Sequence, residues 1–252
     1  MSRWRGNGGR ADFARSEQLI RAAQSGNNCD DGQVAQADDP DDRKTRGGRG
    51  DGHEPEPGRR GNRQGEQTVR AGTLLVSSTD LAEPTFRRTV VYIIEHNDAG
   101  TLGVVLNRPS DTPVHDVLPQ WAELSARPHT LFVGGPVKRD AALCLGTLRV
   151  GASIDGAPGL RRVDGRVVLV DLDAEPDRIG PLVEGVRIFA GYAGWTFGQL
   201  DSELANDDWI VVSALPSDPI AGRRTDMWAE VLRRQPLPLS LLATHPIEVE
   251  RN

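Results

Sequence analysis

The stretch GYAGWTFGQL at 191–200 carries glycines at 191, 194 and 198, where an apolar run of strand character meets helix-forming residues. Glycines so spaced let backbone lie against backbone, or against a ligand, where any Cβ would intrude. Thr196 and Gln199 have the S/T-x-x-E/Q spacing of a capping box, which predicts a helix beginning at Thr196. Two functional readings follow. The free N–H groups of that helix start, with Gly194, would hold an anion such as a phosphate or carboxylate. Alternatively Tyr192, Trp195 and Phe197 would wall a small-molecule cleft. Against both stands a tight strand–helix junction that packs aromatics, because the G-x-x-G-x-x-x-G spacing matches neither the dinucleotide-binding fingerprint nor the P-loop.

The chain divides by composition. Residues 1–65 hold 12 glycines, 12 Lys+Arg and 11 Asp+Glu, but only six of Ile, Leu, Val, Met, Phe, Trp and Tyr. That is too little apolar surface to offset the entropy of ordering the backbone, so 1–65 is expected to be a disordered low-complexity tail. Residues 66–252 suffice for a single domain with one core. The whole chain carries −6 and the tail +1, which leaves the body near −7. An acidic body is a poor match for nucleic acid, whose affinity rests on cation–phosphate contacts. No run of apolar residues reaches the length of a membrane helix, so no membrane insertion is expected. Cys29 and Cys144 lie far apart, one in the tail and one in an apolar run, which favours unpaired thiols and a cytoplasmic location.

Strand signals dominate the body. TVVYIIE within Arg88–Glu95 is β-branched and aromatic, Asn97-Asp98-Ala99-Gly100 is turn chemistry, and Leu102–Leu106 returns as a second strand. Val114, Val117, Leu118, Trp121 and Leu124 form a helical stripe broken by Pro119. Further strands are expected at Thr130–Val133, Ala141–Leu148, Val167–Val170, Val186–Tyr192 and Trp209–Leu215, with an Asp164-Gly165 hairpin. Helices are expected at Glu175–Glu184, Thr196–Ala205 and Asp226–Arg234. The fold class is α+β: a bent, mixed, mostly antiparallel and partly barrel-like sheet with helices packed outside.

Glu95 and His96 end the first strand of the hairpin, and Asn107 and Arg108 follow the second. If these groups share one end of the sheet, Glu95 or His96 is a candidate base and Arg108 an anion partner. The blander reading has them pairing with each other and with loop backbone, and no nucleophile stands beside them. The five histidines are isolated in sequence, with no metal-ligand spacing, so neither a metal nor a cofactor is expected. Gly134-Gly135-Pro136 is a turn that would make a second backbone cradle if it lay near the first.

The motifs AGTLLVSSTDLAEPTFRRTVVYIIEHND, GTLGVVLNRP, FVGGPV, VRIFAGYAGWTFGQLDSEL and NDDWIVV, in this order, resemble the AlgH/YqgE family of bacterial proteins. The resemblance covers about 69–250. It implies a compact α+β protein with a bent, partly barrel-like sheet, and it carries a label of transcriptional regulator. It supplies no agreed catalytic residues. The expectation is a binding or regulatory protein, without catalysis of its own, that meets a small molecule or protein at a glycine-lined cleft. Asn107, Arg108, Gly134, Gly135, Gly191, Tyr192, Gly194, Trp195, Thr196 and Gln199 would line it. The alternatives are a hydrolase or transferase acting on a phosphate- or carboxylate-bearing small molecule, and a DNA-contacting regulator that the acidic charge disfavours.

Overall fold

The computed structural model describes residues 68–81, 83–222 and 226–246; the tail expected at 1–65 lies outside the described residues. Ten strands form one curled sheet in the order β10-β1-β2-β3-β9-β6-β8-β7, with β5 beside β9 and β4 beside β5. These are β1 (Thr73–Ser77), β2 (Val90–Asn97), β3 (Gly100–Val105), β4 (Pro109–Pro113), β5 (Thr130–Val133), β6 (Val137–Leu148), β7 (Leu160–Asp164), β8 (Val167–Val170), β9 (Val183–Thr196) and β10 (Trp209–Ser213). Among the described strand pairs only β5–β9 is parallel. The helices are short: α1 (Val114–Val117), α2 (Pro176–Ile179), α3 (Gln199–Ala205), α4 (Met227–Arg233) and α5 (Leu239–Leu242), with a 3₁₀ turn at Pro119–Trp121. The fold is thus α+β with a mostly antiparallel, half-barrel sheet. No helix among the described residues is long and apolar enough to cross a membrane.

Period-2 alternation divides the apolar residues between two faces. Leu74, Tyr92, Val104, Leu145, Leu169 and Phe189 lie on the face enclosed by the curl, where α4 covers them with Met227, Trp228 and Val231. On the other face, Leu75, Val91, Ile93 and Trp195 pack beneath Leu200 of α3. Farther along the sheet, Cys144, Val168 and Ile188 meet Val114, Trp121 and Ile179. The curl brings its far end back to its start. Arg70 Nη1 lies 3.3 Å from Asp164 Oδ1 across the seam between the entry to β1 and the end of β7. Asp226 caps α4 by accepting the Ala229 N–H, and Trp228 Nε1 donates to the Ser77 carbonyl, fastening the helix to β1.

Two helix expectations need correction. Of Glu175–Glu184 only Pro176–Ile179 is helical, and Val183 and Glu184 already belong to β9. Gly180 still lies in the α region and donates to the Pro176 carbonyl, but Pro181 has no N–H to continue the ladder, and the helix ends there. The helix expected from Thr196 begins at Gln199, with Gly198 as its N-cap at φ +74°. Half of the capping box forms all the same: Gln199 Oε1 accepts the Thr196 N–H at 3.1 Å, but around a turn that leaves Thr196 in the strand.

Candidate functional site

The hairpin register separates the polar groups that were expected together. Val91 faces Val105 at one end of β2–β3 and Asn97 faces Gly100 at the other. Glu95 and His96 therefore lie at the turn, while Asn107 and Arg108 lie about 20 Å away along the strands. The expectation of one shared end is corrected, because an antiparallel return carries residues after its second strand back to the start of its first. At that far end Asn107 is a backbone clip: Oδ1 accepts the Val90 N–H at 3.1 Å and Nδ2 donates to the Arg88 carbonyl at 2.8 Å. Arg108 Nη2 donates to the Arg87 carbonyl at 2.6 Å. A base at Glu95 or His96 thus lacks the anion partner assigned to it.

The glycine turns do meet, but they fill the space between them. A Cβ on Gly134 would lie 2.3 Å from the Gly191 carbonyl oxygen, and one on Gly191 would lie 2.8 Å from the carbonyl oxygens of Gly135 and Val137. Gly191, at φ +72°, sits where β9 exchanges partners: its pairing with β6 shifts between Val137/Tyr192 and Ala142/Ala190. A bulge there needs a residue that tolerates the left-handed region. The glycine-lined cleft is therefore corrected to a backbone crossing of β9 with the β5–β6 turn. Tyr192 points into the core and is 2 % exposed.

Trp195 and Gln199 belong to a second fold-holding network. Glu203 Oε2 accepts the indole N–H of Trp195 at 2.7 Å and of Trp209 at 2.8 Å, while Oε1 accepts from Gln199 Nε2 at 3.0 Å. Phe86 completes the cluster, with ring centroids 6.2 Å from Trp195 and 5.5 Å from Trp209. Glu203 escaped the sequence reading. Its only signal is that it lies four residues after Gln199, one turn up the same helix face.

A hollow of about 360 Å³ lies at the turn end of β2–β3. The register places Gly100 opposite both Asn97 and Thr196, so the β2–β3 turn and the β9–α3 corner share one wall. His96, Asp98, Thr101, Thr196, Phe197 and Asp201 are among the lining residues. His96 and Thr196 thus lie on the same side of the molecule. The His96 Nδ1 is 2.7 Å from Thr101 Oγ1, which orients the ring. Phe197 is 74 % exposed at the rim. Among the described residues, neither lysine nor arginine lines the hollow. The seven-residue α3 beside it adds little dipole, and Asp98 and Asp201 oppose an anion. Among the described residues, no three His, Cys, Asp or Glu side chains are grouped to hold a metal ion.

Arg187, on β9, is a further buried group that sequence reasoning missed. It is 3 % exposed, lies 4.0 Å above the Phe132 ring, and Nη2 donates to the carbonyls of Arg127, Ile220 and Ala221. Burial pushes its pKa down to about 10, so the cation persists at neutral pH. It ties the loop before β5 to the loop after β10. Nothing in the alternation of β9 distinguishes it from an outward-facing arginine, because the far side of the sheet is supplied by residues distant in sequence.

A family model described as DUF179, AlgH-like, matches residues 74–240. A UPF0301 protein of Nocardia farcinica is 72% identical over 219 residues, covering 87% of this chain and all of its own length. A UPF0301 protein of Rhodococcus jostii is 76% identical over 187 residues, covering 74% of this chain and 93% of its own. Among solved structures, a Corynebacterium diphtheriae protein is similar at TM-score 0.70 and 39% identity, covering 73% of this chain and 96% of that one. The solution structure of AlgH from Pseudomonas aeruginosa matches at TM-score 0.52 and 27% identity, covering 74% and 99%.

Proposed function

The chain belongs to the AlgH-like family, and from that premise we propose that it is a cytoplasmic binding protein with no reaction of its own, meeting a small molecule or protein at the His96–Phe197 hollow. Phe197 carries the reading: it is 74 % exposed, while Trp195, two residues before it, is 6 % exposed. An exposed large aromatic at the rim of a concave polar surface offers the apolar contact area on which binding interfaces draw, aromatic residues being enriched there. The other candidates, Asn107, Arg108, Gly134, Gly135, Gly191, Trp195 and Gln199, are supported better as parts of the scaffold.

The hollow's chemistry narrows the occupant. With Asp98 and Asp201 on its wall and a body near −7, it favours an amine, a guanidinium or an amide over a phosphate or carboxylate. A cation over the Phe197 ring would gain further attraction. This argues against the hydrolase or transferase alternative, whose substrate is anionic.

The test is an NMR titration of the full chain with spermidine, arginine and a short oligolysine peptide. The Gly100, Thr101 and Gly198 amides should shift, and Phe197→Ala should abolish the shifts while leaving the rest of the spectrum in place. Shifts centred elsewhere, shifts that survive Phe197→Ala, or no response to any probe would count against this role.

A further inference from the structure

The corner that carries Phe197 has little packing of its own. The ring stands exposed, and a Cβ on the next residue, Gly198, would meet nothing within 4 Å. Two anchors flank it. On the strand side, Thr196 pairs with Gly100 at the end of β9. On the helix side, the Gly198 carbonyl accepts the Ser202 N–H at 3.1 Å and the Ser202 hydroxyl at 3.0 Å. The side chain of Gln199 bridges the two by reaching back across the turn. Its Oε1 accepts the Thr196 N–H at 3.1 Å and the Thr196 hydroxyl at 3.2 Å, and its Nε2 donates to Glu203 Oε1 at 3.0 Å.

The orientation of that amide is decided from the core. An ionised carboxylate only accepts, so the Gln199 nitrogen must face Glu203, and the Gln199 oxygen is left for Thr196. Glu203 is fixed in turn by the buried indoles of Trp195 and Trp209, which donate to its other oxygen. A line of hydrogen bonds thus runs from two buried rings to the residue before an exposed one.

We propose that Gln199 is the positioning residue of the hollow, holding Phe197 at the rim before any occupant arrives. This rests on the reading of the His96–Phe197 hollow as a binding site. An occupant that must first order a mobile rim loses affinity to that ordering, and a rim ordered in advance spares the loss. Gln199 touches no part of the occupant's anchor; it acts through the backbone on either side of Phe197. Because its own side chain is exposed, its removal should leave the stability of the fold nearly unchanged. That separates positioning the ring from holding the fold.

The test takes the full chain and Gln199→Met, which keeps the length of the side chain and removes both of its hydrogen bonds. Relaxation of the Phe197 and Gly198 amides without ligand should give order parameters of about 0.85 in the parent and below about 0.6 in the variant. The tightest binder among spermidine, arginine and oligolysine should then bind the variant about fivefold more weakly, with the urea midpoint unchanged. Gln199→Glu keeps the acceptor for Thr196 but sets a carboxylate against Glu203, so its corner should loosen too. Its added charge would draw a cation by itself, so this variant is read by order alone. A corner as ordered in Gln199→Met as in the parent overturns the proposal. So does equal affinity for the two chains, or a urea midpoint that falls along with affinity, which would assign Gln199 to the fold. A parent that binds none of the three probes fails the reading of the hollow and this inference with it. A parent that binds while the variant binds equally well fails this inference alone.

Discussion

Gly135 and Tyr192 touch through their backbones: a Cβ on Gly135 would lie 2.2 Å from the carbonyl carbon and oxygen of Tyr192. Gly135 also holds φ +155°, which L side chains rarely adopt. The turn after β5 can cross β9 only because neither position presents a side chain to the other.

Gly135→Ala should therefore destabilise the protein by about 4 kcal/mol, at the far end of what single substitutions do. Gly156→Ala is the control. It shares a positive φ of +72° but meets nothing within 4 Å, so only the backbone term remains, about 1–2 kcal/mol. Urea unfolding of the two variants should show this gap; equal losses would mean that the contact with Tyr192 has no energetic consequence.

Glu203 unites two indoles, so its removal strands both donors. Glu203→Ala should cost about 2–4 kcal/mol and shift tryptophan emission to the red as Trp195 and Trp209 admit water. Glu203→Gln keeps an oxygen acceptor and should lose less. Equal losses for the two would show that the bonds to Trp195 and Trp209 contribute little.

Tyr92 is fully buried in the inner core, and its hydroxyl has no hydrogen-bond partner among the described residues. Burial, reinforced by the carboxylates of Asp164 and Asp218, holds its pKa above the usual 10. A pKa raised on folding contributes stability that is complete below pH 10 and lost as the pH climbs through the folded value. Tyr92→Phe should thus stabilise the protein by about 1 kcal/mol at pH 7 and flatten the loss of stability above pH 10. Destabilisation at pH 7 would show that the hydroxyl is satisfied after all.

Cys144 is buried in β6, and burial raises its thiol above the usual 9. In a Cys29→Ser background, Ellman's reagent at pH 8 should modify Cys144 only at the rate of unfolding, since the thiolate is the nucleophile. The same sign applies as for Tyr92: stability from the neutral thiol begins to fall above pH 9. Rapid modification of the folded chain would contradict the burial.

Phe197→Ala should leave stability within about 0.5 kcal/mol of the parent, as expected for an exposed side chain away from the core. Trp195→Ala, two residues earlier, should cost about 3–5 kcal/mol. Thermal unfolding distinguishes them, and a large loss for Phe197→Ala would assign that ring to the fold.

Local chemistry explains what was legible. The β-branched run of β2 with the turn at Asn97–Gly100 announces a hairpin, and so does the Asp164-Gly165 pair between β7 and β8. The helix at Asp226 is signalled by its cap, and the chain's motifs carry the family. Thr196 misled because the capping-box spacing reports which atoms can bond around a turn, not whether the backbone before it has left the strand.

Propensity, period and turn type act over a few residues, so the sequence by itself determined the strand-rich body, the hairpins and the likeness to the AlgH-like family. Tertiary structure alone decided which ends meet. It made β9 a 14-residue strand serving β3, β5 and β6, set Gly135 against Tyr192, gave Glu203 two indoles, and sent Asn107 and Arg108 away from His96. Those outcomes depend on register between segments far apart in the chain, where a shift of one residue turns every side chain to the opposite face.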